Sequence, residues 1–265
     1  AEGSGTPRSL GEGQGSEASS PTGSMPDSSL ADGRSKSPRS SRRGSKPGTE
    51  KAASREAIIG TERVCVGMEL HASKAAVQRE GCRFLQNLVR ASVVNREVAV
   101  QSGSIALVCE AMENHKASES VSRRACGALW GLVAENDTGK EAAWQAGGVP
   151  LVCAALKRFA GRVVLQKRGI TVLWSLVTGH TKNKEVAMEH TAGELVRTAM
   201  TTWPHDTAMQ ERCCGAVGSL AANVLDNQQD LFRLGFAELV VGAMRQHELQ
   251  ETVQRYGLGA LWSLA

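Results

Sequence analysis

"GALWGLV" (Gly127–Val133), "TVLWSLV" (Thr171–Val177) and "GALWSLA" (Gly259–Ala265) are versions of one phrase. Trp130 and Trp174 are 44 residues apart, and Trp262 lies 88 beyond Trp174. The step of 44 between them falls on Gly218 in "CCGAVGSLA", and a step back from Trp130 falls on Gln86 in "GCRFLQNLV". Leu88, Leu132, Leu176, Leu220 and Leu264 keep the same spacing, as do Leu85, Leu129, Leu173, Val217 and Leu261. Met68, Met112, Leu156, Met200 and Met244 form another column, and Val64, Val108, Val152, Val196 and Val240 a fourth. No insertion or deletion interrupts the phase from about residue 64 onward. A fixed period of this length identifies a stacked repeat, in which no unit covers its own apolar face.

Each unit reads as helices. Val121, Ala125, Leu129 and Leu132 step by four, four and three, the apolar stripe of one helix. Before it comes a shorter apolar segment, "ALVCEAM" or "PLVCAAL", where Pro150 suits a first helical turn. Before that comes a third piece, "NREVAVQSG" or "GKEAAWQAGG", whose glycines mark helix ends. The predicted unit is a short helix, a tight turn, a second helix and a long third helix. The predicted fold class is all-α: a right-handed α-solenoid of 44-residue three-helix repeats. A partial unit over about 56–94, expected to lack its first helix, precedes four units over 95–138, 139–182, 183–226 and 227–265.

The order "N-x-E-x-A…G-G-V-P-L-V…A-L", then "R-R-A-C-G-A-L-W-G-L-V-A-E-N", resembles the armadillo repeat over roughly 64–265, with HEAT-like repeats as the structural alternative. The resemblance implies a concave groove, lined by third helices, that takes extended peptides. It is to the β-catenin-like and protist armadillo type, which implies scaffolding. Importin-α-type proteins carry an Asn ladder with Trp four residues earlier. The matching columns here are Asn87, Gly131, Ser175, Ser219, Ser263 and Arg83, Gly127, Thr171, Gly215, Gly259, so binding of basic import signals by that mechanism is not expected. Because the last helix carries no polar capping unit, further repeats are expected beyond Ala265.

Residues 1–55 hold five of the seven prolines, fourteen serines and nine glycines, with no aromatic residue and no cysteine. Such a segment is predicted to be a disordered tail, and 56–265 the solenoid. Its basic stretch, 34–46, includes Arg39, Arg42, Arg43 and Lys46, while Ser20 and Ser37 precede prolines and are candidate phosphorylation sites. Without interleaved aromatics, any nucleic-acid contact by this tail is expected to be nonspecific and salt-sensitive. Seven cysteines, no N-terminal apolar signal and no membrane-length apolar run point to a cytoplasmic protein, with nuclear and cytoskeletal or ciliary sites as alternatives.

Catalysis is not expected. Cys65, Cys109 and Cys153 share one column, and Cys82, Cys126, Ile170, Cys214 and Leu258 another, so the thiols read as packing. The histidines have no metal-ligand spacing, and "HELQE" lacks a second His. No nucleophile elbow or phosphate loop is present; "GEGQG" lies in the tail. No cofactor or metal is expected.

Advancing 100° per residue from the buried stripe leaves three columns of the third helix facing out. One reads Arg79, Arg123, Lys167, Glu211, Arg255; a flanking column reads Gln86, Trp130, Trp174, Gly218, Trp262. Units with Trp carry a cation seven residues earlier. The middle column (Arg83, Gly127, Thr171, Gly215, Gly259) is small enough to leave the indoles uncovered. The expected function is a non-enzymatic scaffold that binds an acidic, apolar peptide through Arg123, Trp130, Lys167, Trp174, Arg255 and Trp262. Two other readings stand beside it: the tryptophans are inter-repeat core, or the basic tail binds nucleic acid or cytoskeleton with the solenoid as spacer.

Overall fold

The computed structural model describes residues 47–265. Fourteen helices and no strand occur among them. In chain order they are α1 (Pro47–Leu70), α2 (Ala75–Ala91), α3 (Val93–Gln101), α4 (Ser104–Asn114), α5 (Glu119–Val133), α6 (Asp137–Gln145) and α7 (Gly148–Arg158). Then follow α8 (Val163–Val177), α9 (Thr181–Glu189), α10 (Ala192–Thr202), α11 (Thr207–Ala221), α12 (Leu225–Arg233), α13 (Phe236–Gln246) and α14 (Glu251–Leu264). The long third helices α2, α5, α8, α11 and α14 start at 75, 119, 163, 207 and 251, steps of 44 throughout. They form one layer, each packed on the next, and the second helices α4, α7, α10 and α13 form another.

The turn between first and second helices needs one residue in the left-handed region. Gly103, Gly147, Thr191 and Gly235 take φ values of 74°, 67°, 62° and 77° there. Glycine does so freely, whereas β-branched Thr191 is strained. The first unit has Ile59 in this column. A β-branched residue disfavours that turn without forbidding it, as Thr191 shows, and α1 runs unbroken through Ile59. The helix begins at Pro47, upstream of position 56, and spans the phases of both a first and a second helix.

The predicted stripe is the core. Leu85, Leu129, Leu173, Val217, Leu132, Leu176 and Leu220 are fully buried. So are Cys82, Cys126, Ile170 and Cys214 of the mixed column, while Leu258, the fifth member, is exposed on the last helix.

Three polar ladders tie the layers together. Gln78, Gln166, Gln210 and Gln254 each donate through Nε2 to two carbonyls at the end of the second helix of their unit. The acceptors are Met68 and His71 (2.8 and 3.0 Å), Leu156 and Phe159 (2.7 and 3.1 Å), Met200 and Trp203 (2.9 and 3.0 Å), and Met244 and His247 (2.7 and 3.1 Å). These satisfy carbonyls that a helix end leaves without partners. Asn95, Asn183 and Asn227 donate to the Leu88, Leu176 and Leu220 carbonyls, joining each first helix to the preceding third helix. The fourth position is Gly139, where a Cβ would stand 2.5 Å from the Leu132 carbonyl oxygen. Arg96 and Lys184 donate to the Ala134 and Ala222 carbonyls, placing cations at the negative ends of α5 and α11.

Candidate partner-binding face

The second turns of the third helices carry pairs of long side chains in phase: Arg123–Arg124 on α5, Lys167–Arg168 on α8, Glu211–Arg212 on α11 and Arg255–Tyr256 on α14. Arg123, Arg124, Lys167, Arg168 and Glu211 are half-buried and Arg255 is exposed. The second members link adjacent helices. Arg168 Nη1 donates to the Arg123 carbonyl at 3.4 Å, and Arg212 Nε to Thr171 Oγ1 at 2.9 Å. Arg212 also donates to the Ala208 carbonyl and is buried, which lowers its pKa against the opposing pull of Glu211 and Asp206. Arg255 sits 4.7 Å over the Tyr256 ring and donates to its hydroxyl at 3.1 Å. The result is a lane of six cations with Glu211 among them. Arg124, Arg168 and Arg212 form a second cation column beside the expected one, legible in the sequence by the same recurrence every 44 residues.

Lys167 is tied down. Its Nζ lies 2.6 Å from Asp206, which also caps α11 by accepting from the Met209 amide at 3.0 Å. Burial pushes the Asp206 carboxyl up, but the hydrogen bonds from Lys167 and Met209 outweigh it and hold the carboxyl below its ordinary range.

The tryptophan column divides. Trp174 is only 3% exposed and meets Tyr256 edge-to-face, with centroids 4.8 Å apart at 83°. A Cβ on Gly215 would stand 2.5 Å from its ring, and one on Gly127 would stand 2.8 Å from the Gln86 side chain. The small column therefore does not leave Trp174 open. Gly127, Thr171 and Gly215 are buried, and a side chain of the preceding unit fills the gap at Gly127 and Gly215, whereas Gly259, on the last helix, has open space beside it. Trp174 thus packs across α11 to reach α14, two units on. Trp130 is half-buried with its Nε1 unpartnered, and Trp262, on the last helix, is 56% exposed. Gly218, which replaces Trp in the fourth unit, lies against α14 backbone: a Cβ there would be 3.2 Å from Ala260 Cα.

The seven cysteines are free and buried. Burial pushes the thiols of Cys82, Cys109, Cys126, Cys153 and Cys214 up to about 12, far from the thiolate a nucleophile needs. Among the described residues no group of three or more His, Cys, Asp and Glu is placed to hold a metal ion, and no helix is long and apolar enough to cross a membrane. Ser20, Ser37, Arg39, Arg42, Arg43 and Lys46 lie outside the described residues.

Comparison with known proteins agrees with this architecture. A family model described as the LRRK2 ARM repeat matches residues 68–223. An engineered protein solved by the Northeast Structural Genomics Consortium superposes with a TM-score of 0.68 at 17% identity, covering 83% of this chain and 92% of that one. A designed armadillo repeat protein in complex with the peptide (KR)4 gives 0.61 at 16% identity, over 84% of this chain and 96% of that one. A second designed armadillo repeat protein gives 0.64 at 16% identity with the same coverage. No curated protein matches in sequence. With three-helix units in a 44-residue phase and a family match across the central repeats, this chain belongs to the armadillo-repeat family described by the LRRK2 ARM repeat.

Proposed function

We propose that this protein is a non-enzymatic scaffold whose third-helix face binds an extended acidic segment of a partner protein. The observation that carries the reading is the cation lane formed by Arg123, Arg124, Lys167, Arg168, Arg212 and Arg255. Arg212 and the ion-paired Lys167 set the lane's shape. Arg123 and Arg255 supply the reachable guanidinium groups, which pair with carboxylates through two parallel hydrogen bonds. Trp130 and Trp262 provide apolar surface beside them, while Trp174 supports the lane from beneath. A designed armadillo protein has been solved with a basic (KR)4 peptide; the charge of this lane favours the opposite sign.

The test is a titration of the 265-residue chain with a labelled peptide of alternating Asp and Leu, beside one of alternating Lys and Leu. The acidic peptide is expected to bind, and Arg123→Glu/Arg255→Glu to abolish it. Equal binding of both peptides, or binding unaffected by the double charge reversal, would overturn the proposal. Removing residues 1–46 separates it from binding through the basic tail, because lane binding survives that deletion.

A further inference from the structure

The third helices pack in the order α5, α8, α11, α14, and one column across them reads Arg123, Lys167, Glu211, Arg255. A carboxylate stands in α11 where every other unit places a cation, and the same unit has Gly218 where three others place Trp. The plainest use of a lone acid in a cation lane is to neutralise a neighbour. The neighbours are already engaged. Lys167 is paired with Asp206 at 2.6 Å. Arg212 donates to Thr171 Oγ1 and to the Ala208 carbonyl. Arg255 lies over the Tyr256 ring and donates to its hydroxyl. Glu211 is half-buried and forms no salt bridge among the described residues. Its charge is felt on two sides. Burial lowers the Arg212 pKa and Glu211 opposes that shift; burial raises the Tyr256 hydroxyl, Arg255 pulls it down and Glu211 pushes it up again. The carboxylate therefore stands beside Arg212 and the Arg255–Tyr256 pair, with its own charge unmatched. A uniformly acidic ligand would set a like charge against it, which costs binding.

We propose that Glu211 is a specificity residue of the lane, selecting partner segments that carry one Lys or Arg between carboxylates. This inference rests on the reading of the lane as a site for an acidic segment, and names the order of charges within that segment. The flanking carboxylates pair with Arg123 on α5 and Arg255 on α14. The partner's ammonium or guanidinium group donates to Glu211 between them. Lys167, whose charge is met by Asp206, asks for nothing in particular at α8. The lane thus reads an order of signs and not a net charge, and it ranks a mixed segment above a uniformly acidic one. Attraction to the right order and repulsion of the wrong one act together.

Two fluorescein-labelled peptides of identical composition test it, with anisotropy against the 265-residue chain. One is Asp-Leu-Asp-Leu-Lys-Leu-Asp-Leu-Asp; the other, Lys-Leu-Asp-Leu-Asp-Leu-Asp-Leu-Asp, moves the Lys to the end. A lane of uniform sign favours the second, because a central Lys interrupts the run of carboxylates. Selection by Glu211 favours the first, by about fivefold. Glu211→Gln is expected to abolish that preference. Glu211→Arg, which restores the cation that this column carries in every other unit, is expected to reverse it with the melting temperature kept. Equal affinity for the two peptides, tighter binding of the end-Lys peptide by the wild-type chain, or a central-Lys preference that persists in Glu211→Gln would overturn the proposal while leaving the lane itself intact. If the all-Asp parent peptide does not bind, the lane reading fails and this inference falls with it.

Discussion

Trp174→Ala separates folding from recognition in the tryptophan column. The indole is 3% exposed, packs on Gly215 and stacks edge-to-face on Tyr256, so its loss opens a cavity spanning α8, α11 and α14. Truncating a buried Trp costs about 3–5 kcal/mol. In a chain of this size each kcal/mol shifts the melting temperature by ~2–4 °C, so a mid-range loss predicts a fall of roughly 8–16 °C. Solenoid units are held by nearest-neighbour interfaces, so the melt should also broaden as the last two units uncouple from the rest. Trp262→Ala is the internal comparison. That side chain is 56% exposed and its loss should move the transition by no more than ~2 °C. Circular dichroism at 222 nm during a thermal ramp reads both. If Trp174→Ala melts with the wild-type chain, Trp174 is not inter-repeat core and the packing described here is wrong.

Three further outcomes follow from local chemistry. Thr191→Gly should raise the melting temperature by a few degrees, because relieving a β-branched residue at φ 62° recovers ~1–2 kcal/mol against ~0.5–1 kcal/mol of added chain entropy; a lower value would mean the Thr191 side chain is needed. Asp206 is held below its ordinary 3.8 in the folded chain, so its contribution is complete above about pH 4 and is lost as pH falls through the folded value. Asp206→Asn keeps a capping oxygen and should therefore show a smaller drop in melting temperature than wild type between neutral pH and about pH 3, and an equal drop would refute the ion pair with Lys167. The seven buried thiols should be inert to a disulfide reagent in the native chain and should all react in guanidinium; a fast native reaction would place at least one at the surface.

Much of the architecture was legible because a phase-locked repeat writes each helix several times. Columns of Leu, Met and Val located every third and second helix, and glycine located the turns. The same column marks where the first unit differs: Ile59 stands where the other units place a left-handed residue, and α1 continues through it. The candidate face was less legible. A helical wheel gives the direction of a side chain from its own axis but not the position of the neighbouring helix. Gly127 and Gly215 pointed outward on the wheel, yet in the stack they receive Gln86 and Trp174. The glutamine ladder was visible as a column and passed unread, since glutamine is usually solvated. Its function emerges only when the ends of the second helices lie within reach.

A peptide-binding role depends above all on the charge preference of the third-helix lane. The deciding measurement is the affinity of the 265-residue chain for the alternating Asp–Leu peptide against the alternating Lys–Leu peptide, repeated with Arg123→Glu/Arg255→Glu. Preference for the acidic peptide, lost on charge reversal while the melting temperature is kept, is the predicted result. Preference for the basic peptide, or none, would contradict it.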